Sequence, residues 1–180
     1  VRLTANEVFP KGNRRFKSSR LRQALIGPIS PKRKFFKMAK VNTYLNFMGT
    51  TEEAFNFYKK VFGTEFISIT RMKDMPRPDG APTLQESDAN KIMNVQLPIV
   101  NGHVLMATDA LESMGHKVQV GNNVTISLDL DSREEAEKIY SQLMLNSPEN
   151  SGPLAEMPWG ALWGSCQDQF GVRWMVSCAL

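Results

Sequence analysis

The chain has 180 residues, 42% of them hydrophobic, which is enough for one sizeable core and too little for two ordinary domains. Its net charge of +4 is unevenly placed: residues 1–37 hold 11 of the 22 Lys and Arg and one acid, Glu7, leaving 11 basic against 17 acidic residues in 38–180. An acidic body argues against a nucleic-acid groove, and no apolar run approaches the roughly 20 residues of a membrane span.

Residues 1–37 lack sustained apolar periodicity and are broken by Pro10, Gly12, Gly27, Pro28 and Pro31, so a basic, disordered N-terminal extension is expected there. Because Met38-Ala39-Lys40 comes just before the first strand-like run, the plain reading is translated upstream sequence or a dispensable tail. An Arg-rich transit peptide and a polyanion-binding tail are the alternatives. The folded part is expected over 38–180. Cys166 and Cys178 are too few for a disulfide framework or a zinc site, which points to reduced thiols in a cytoplasmic protein.

In chain order, Thr43, Leu45 and Phe47 alternate with Asn42, Tyr44 and Asn46, the period-2 pattern of a strand. Thr50 and Glu53 have the spacing of a capping box; Ala54, Phe57, Tyr58 and Val61 then recur at helical spacing until Gly63. A strand over 64–73, a Pro-, Asp- and Gly-containing loop over 74–89, and strands at 91–100 and 103–109 follow. Asn101-Gly102 between the last two is a type I′ hairpin signal. A linker containing His116 leads to Val124, Ile126, Leu128 and Leu130, which alternate with Asn123, Thr125, Ser127 and Asp129 and should meet a helix on their apolar side. Ser132 and Glu135 repeat the box, and Ala136, Ile139, Tyr140 and Leu143 repeat the apolar stripe, with Ser132, Ala136 and Leu143 each 82 residues beyond Thr50, Ala54 and Val61. A polar loop, a short strand near 154–157 and a hairpin from 161–167 to 172–178, turned by Asp168-Gln169-Phe170-Gly171, complete the chain. The fold class is α+β, with two βαβββ modules in tandem over about 41–110 and 123–178.

Four stretches carry a family resemblance: Tyr44-Leu45-Asn46-Phe47-Met48-Gly49; Glu53-Ala54-Phe55-Asn56-Phe57-Tyr58 with Val61-Phe62-Gly63; Val104-Leu105-Met106-Ala107-Thr108-Asp109-Ala110; and Asp168-Gln169-Phe170-Gly171-Val172-Arg173-Trp174-Met175. Together they resemble the PhnB-like branch of the glyoxalase/bleomycin-resistance (vicinal oxygen chelate) superfamily. The resemblance covers residues 41–178. It implies a curved mixed sheet in each module, a cavity between modules and a homodimer. The superfamily's metalloenzymes bind a divalent ion through four inward side chains, which correspond here to Asn42 (or Thr43), Met106, Thr125 and Met175. Two thioethers, an amide and a hydroxyl are not the His and carboxylate donors that such an ion takes, so no metal or other cofactor is expected. Met106 and Met175 read better as the lining of an apolar pocket.

The candidate cavity residues are Asn42, Tyr44, Asn94, Met106, Thr125, Ser127, Arg173 and Met175. Arg173 shares strand parity with Met175 and would hold a carboxylate or phosphate; its other reading is a strand end paired with Asp168. Asn94 with Gln96 offers a polar strip that faces a ligand or a dimer partner. His103 and His116 lack a neighbour at ligand spacing, and Asp168 reads as a turn former. A methyltransferase reading is disfavoured, because no Gly-rich strand-to-helix turn is present to hold a methyl-donor nucleotide. The expected function is therefore metal-free binding of a small molecule by a homodimer, without nucleic-acid or membrane partners. The alternatives are an isomerase or lyase that stabilises an oxyanion without metal, and a metal enzyme with displaced ligands.

Overall fold

Two copies of one strand–helix–three-strand unit follow each other along the chain. The computed structural model describes residues 39–81 and 83–180, of which Lys40–Leu180 form one compact unit; the expected extension at 1–37 lies outside the described residues. The first module comprises β1 (Thr43–Phe47), α1 (Thr51–Phe62), β2 (Ser68–Arg71), β3 (Ile92–Pro98) and β4 (Val104–Asp109). The second comprises β5 (Ile126–Leu130), α2 (Arg133–Leu143), β6 (Glu149–Met157), β7 (Ala161–Gln167) and β8 (Arg173–Ala179). The sheet orders are β1-β4-β3-β2 and β5-β8-β7-β6. In each sheet the first and last strands of the module pair in parallel and the other pairs are antiparallel. These are the tandem mixed sheets that the resemblance implies.

Alternation along the strands explains which face of each sheet is covered. Leu105 and Ala107 on β4 are fully buried, whereas Met106 and Thr108 between them stay half-buried; Val176 and Met175 on β8 differ in the same way. The covered faces meet the helices in one shared core. From α1, Ala54, Phe55 and Tyr58 are fully buried, and Trp174 of β8 stands 5.6 Å from the Tyr58 ring and 5.8 Å from that of Phe62. α1 therefore touches both its own sheet and the second module, and the open face of each sheet turns away from this core.

Asp168 fastens the two modules. Its Oδ1 accepts the N–H groups of Phe170 and Val172, the expected turn, while its Oδ2 accepts the Tyr58 hydroxyl at 2.7 Å and the Trp174 indole N–H at 2.8 Å. Burial pushes this carboxyl above its ordinary range against the pull of those donors. The Tyr58 hydroxyl is raised well above its own, by burial and then by the charge of Asp168.

The two helices begin differently. Ser132 Oγ accepts the Glu135 N–H at 3.2 Å, as its box spacing predicts. Thr50 makes no side-chain cap: its backbone (φ −109°, ψ 12°) is not the extended conformation that aims an N-cap oxygen at the first turn. The buried Asp109, at the end of β4, takes its place. Oδ1 accepts the N–H groups of Gly49 (3.0 Å) and Thr51 (3.1 Å) and the Thr51 hydroxyl (2.6 Å), and Oδ2 accepts Ile92 N–H (2.8 Å). A carboxylate at a helix N-terminus is favoured by the helix dipole as well as by the hydrogen bonds.

Three strand bounds depart from expectation. β2 is only Ser68–Arg71, with a register shift at its end. β5 begins at Ile126, leaving Val124 71% exposed beyond the helix-covered face. β6 reaches back to Glu149, through a stretch whose Asn, Gly and Pro read as loop, because it follows β7 through two register shifts. The β3–β4 turn matches its sequence signal, with φ 51° at Asn101 and 71° at Gly102.

Candidate functional site

The strand registers set two matching rows of side chains on the open faces. Across the first sheet the row is Tyr44, Met106, Gln96 and Ser68; across the second it is Ser127, Met175, Ser165 and Gly152. Met106 and Met175 thus hold equivalent central places. Asn42 and Thr125 share parity with Tyr44 and Ser127, but both precede their strands and are exposed. Thr43 faces the other way and is engaged with His103, whose Nε2 accepts the Thr43 N–H at 3.2 Å and lies 3.0 Å from its hydroxyl.

The two open faces differ in what lies over them. Between β6 and β7 the chain turns within residues 158–160, but between β2 and β3 it runs through residues 72–91. That long connection is fastened at its base: Met72 N–H donates to Lys91 O and Lys73 N–H to Ala89 O, each at 3.0 Å. Arg71 forks onto Glu52 at 2.7 and 2.9 Å. Near its β3 end the connection is also tied to the linker after β4, because the buried Asp88 accepts the Ser113 hydroxyl and pairs with Lys91 Nζ at 2.7 Å. Those partners hold the Asp88 carboxyl below its usual range, the Lys91 bond contributing most. In the linker, His116 Nδ1 accepts Leu111 N–H at 3.3 Å, which leaves the proton of a neutral ring on Nε2.

These two segments and the first sheet border an open cavity of about 860 Å³. Asn46, Met93 and Thr108 form its sheet side; Met72, Met75, Arg77 and Leu84 come from the long connection; Leu111, Met114, His116 and Lys117 come from the linker. Apolar groups thus dominate the wall, with a few polar and cationic ones, in the manner of small-ligand sites. Among the described residues Asp109 is the sole acid in the wall, and both its oxygens are already occupied.

Six of the eight candidates read from the sequence divide among three places, Tyr44 belonging to two of them. Tyr44, Asn94 and Met106 come together on the first open face, where Asn94 Nδ2 donates to the Tyr44 hydroxyl at 3.4 Å and Gln96 Nε2 to Asn94 Oδ1 at 3.3 Å. Ser127 and Met175 are cross-strand partners on the second face. Tyr44 and Arg173 line a second cavity, of about 480 Å³, where β1 meets the linker, β5 and the Phe170–Arg173 turn. None of the eight lines the larger cavity, most of whose wall comes from loop and linker residues that alternation along strands does not single out. The sequence did contain a signal, a connection far longer than a hairpin needs, carrying Met72, Met75 and Arg77. Of the aromatic residues, Trp174 is core, Trp159 is 69% exposed at the β6–β7 turn, and Trp163 is half-buried on the second open face. Arg173 has no bond to Asp168, whose oxygens are committed elsewhere.

The positions that would ligate a divalent ion do not fit one. Asn42 and Met106 lie on the first sheet's side and Thr125 and Met175 on the second's, and the set has neither imidazole nor carboxylate. Among the described residues no three His, Cys, Asp or Glu side chains cluster at ligand spacing.

Fold and rows together define a member of the vicinal oxygen chelate superfamily. The solved structure of PA1353 from Pseudomonas aeruginosa superposes with a TM-score of 0.68 at 30% identity, covering 79% of this chain and 98% of that one. A Bacillus cereus structure described as a putative 3-demethylubiquinone-9 3-methyltransferase, PhnB protein, superposes at 0.61 with 24% identity, covering 78% of this chain and all of that one. The fosfomycin resistance protein FosX from Listeria monocytogenes shares the fold at 9% identity, with a TM-score of 0.54 and coverage of 79% and 94%. Residues 39–177 match the family model described as 3-demethylubiquinone-9 3-methyltransferase, and the chain belongs to that PhnB-like family.

Proposed function

We propose that this protein binds a small organic molecule in the cavity beneath the 72–91 connection, using shape and soft apolar contact rather than a resident metal. The observation that carries this reading is the cavity itself: about 860 Å³, within the range of small-ligand pockets, with walls that include four methionines able to adjust to an irregular guest. The methyl transfer in the family's description is not carried over. It requires a cradle for a methyl-donor nucleotide, and the strand-to-helix turns here, Met48-Gly49-Thr50 and Asp131-Ser132, lack the glycine-rich form of one.

We further read the chain as a cytoplasmic homodimer. Each open face turns away from the chain's own core and exposes large side chains, such as Tyr44 at 46%, that a second copy would cover. The thiols of Cys166 and Cys178 are free and buried, which suits a reducing compartment. Sedimentation at micromolar concentration should give twice the chain mass.

Ligand binding is tested by a thermal-shift screen of the full chain beside Asn46→Trp, which places an indole in the cavity from an exposed sheet position. A ligand that binds only the folded state raises the transition temperature. Hits should stabilise the wild type and leave Asn46→Trp unmoved. Equal shifts in both would place the ligand elsewhere and refute the reading.

A further inference from the structure

We infer that the ligand of this cavity is an apolar, aromatic-sized molecule carrying one anionic group, held by Arg77 and Lys117; this rests on the binding reading above. Both cations line the cavity, one from the long connection and one from the linker, so they approach a guest from two separate segments. Among the described residues neither makes an ion pair, whereas Lys59, Arg71, Lys91 and Arg133 all do. Two unpaired cations at one cavity in an otherwise acidic body are more informative than either alone.

No acid among the described residues of the wall competes for them. Asp109 spends its charge on the start of α1 and on Ile92, and the buried Asp88 is held by Lys91 and Ser113. With Nδ1 accepting the Leu111 N–H, the His116 ring has its proton on Nε2, which adds a donor to the same wall. The same wall carries Met72, Met75, Met93 and Met114, whose polarisable thioethers make favourable contacts with aromatic rings. An anionic headgroup at the cations and an aromatic body against the methionines would satisfy both halves, and hydrogen bonds from charged donors are the stronger kind.

Two dyes of one shape separate the two halves of this inference. 8-Anilinonaphthalene-1-sulfonate carries the anion, and N-phenyl-1-naphthylamine is its neutral counterpart. Their fluorescence is titrated against the full chain, Asn46→Trp and the double variant Arg77→Gln/Lys117→Gln. All three proteins keep the basic N-terminal stretch, so any sulfonate held there is common to them. The double variant should weaken the sulfonate dye at least about tenfold, the loss expected for a charge-assisted contact, and leave the neutral dye unchanged. Asn46→Trp should weaken both. If the double variant binds the sulfonate as wild type does while Asn46→Trp excludes both dyes, the anion assignment fails and the pocket stands. If Asn46→Trp binds both dyes as wild type does, or the wild type binds neither, the pocket reading fails and this inference with it.

Discussion

The connection between β2 and β3 and the one between β6 and β7 join equivalent strands of two modules built alike, yet one runs over residues 72–91 and the other over 158–160. The skeleton does not require the longer path, because the short turn closes the same strand pair. The extra chain lies against the Asn46, Met93 and Thr108 part of the first open face, supplies Met72, Met75, Arg77 and Leu84 to a cavity and is fastened at its base and, near its β3 end, to the linker. Long connections in compact domains usually serve binding, and the fastening here accounts for how this one holds a wall in place. The second face keeps the same central methionine but has no such cover.

Exchanging the two connections breaks the comparison most severely. Replacing residues 73–90 by Pro-Trp-Gly should leave the circular dichroism of the folded chain in place and abolish binding of N-phenyl-1-naphthylamine. Binding that survives the exchange would detach the cavity from the long connection.

The modules are also compared through what joins them. Asp168→Ala leaves the Tyr58 hydroxyl, the Trp174 indole and two backbone N–H groups without their acceptor, and should cost about 4 kcal/mol in urea denaturation. The pH dependence has a defined sign. Because burial raises the folded carboxyl above its ordinary value of 3.8, the unfolded chain gives up this proton first as pH rises. The contribution of Asp168 to stability is therefore largest below pH 3.8 and declines as pH rises through the raised folded value. The stability gap between wild type and Asp168→Asn, measured by denaturation across that window, should narrow with rising pH. At the small end, Glu52→Gln removes the partner of Arg71 at the base of the connection. With Glu52 48% exposed, the loss should be only about 0.5 kcal/mol.

Much of this architecture was legible from short-range pattern. Strand parity and the repeated helical stripe carried the module order, and the family resemblance pointed to Met106 and Met175, which the registers place at equivalent positions of the two sheets. Asn101-Gly102 set its turn because positive φ at consecutive residues is a local demand. What escaped depends on residues far apart in sequence. The start of α1 is held by Asp109, 58 residues beyond Thr51, in preference to the local Thr50 box. Asp168, read as a turn former, also binds Tyr58 across 110 residues. The cavity escaped for the same reason: its sheet side follows a periodicity, but its other walls are loop and linker whose meeting is fixed by contacts such as Asp88 with Ser113. No period in the sequence encodes that meeting.

Hydrogen–deuterium exchange of the full chain with and without saturating N-phenyl-1-naphthylamine tests the difference between the two faces most directly. Slowed exchange should be confined to residues 72–91 and 110–119, leaving β7 and β8 unchanged. Protection over β7 and β8 with none in the two covering segments would contradict the assignment of the ligand cavity to the first module.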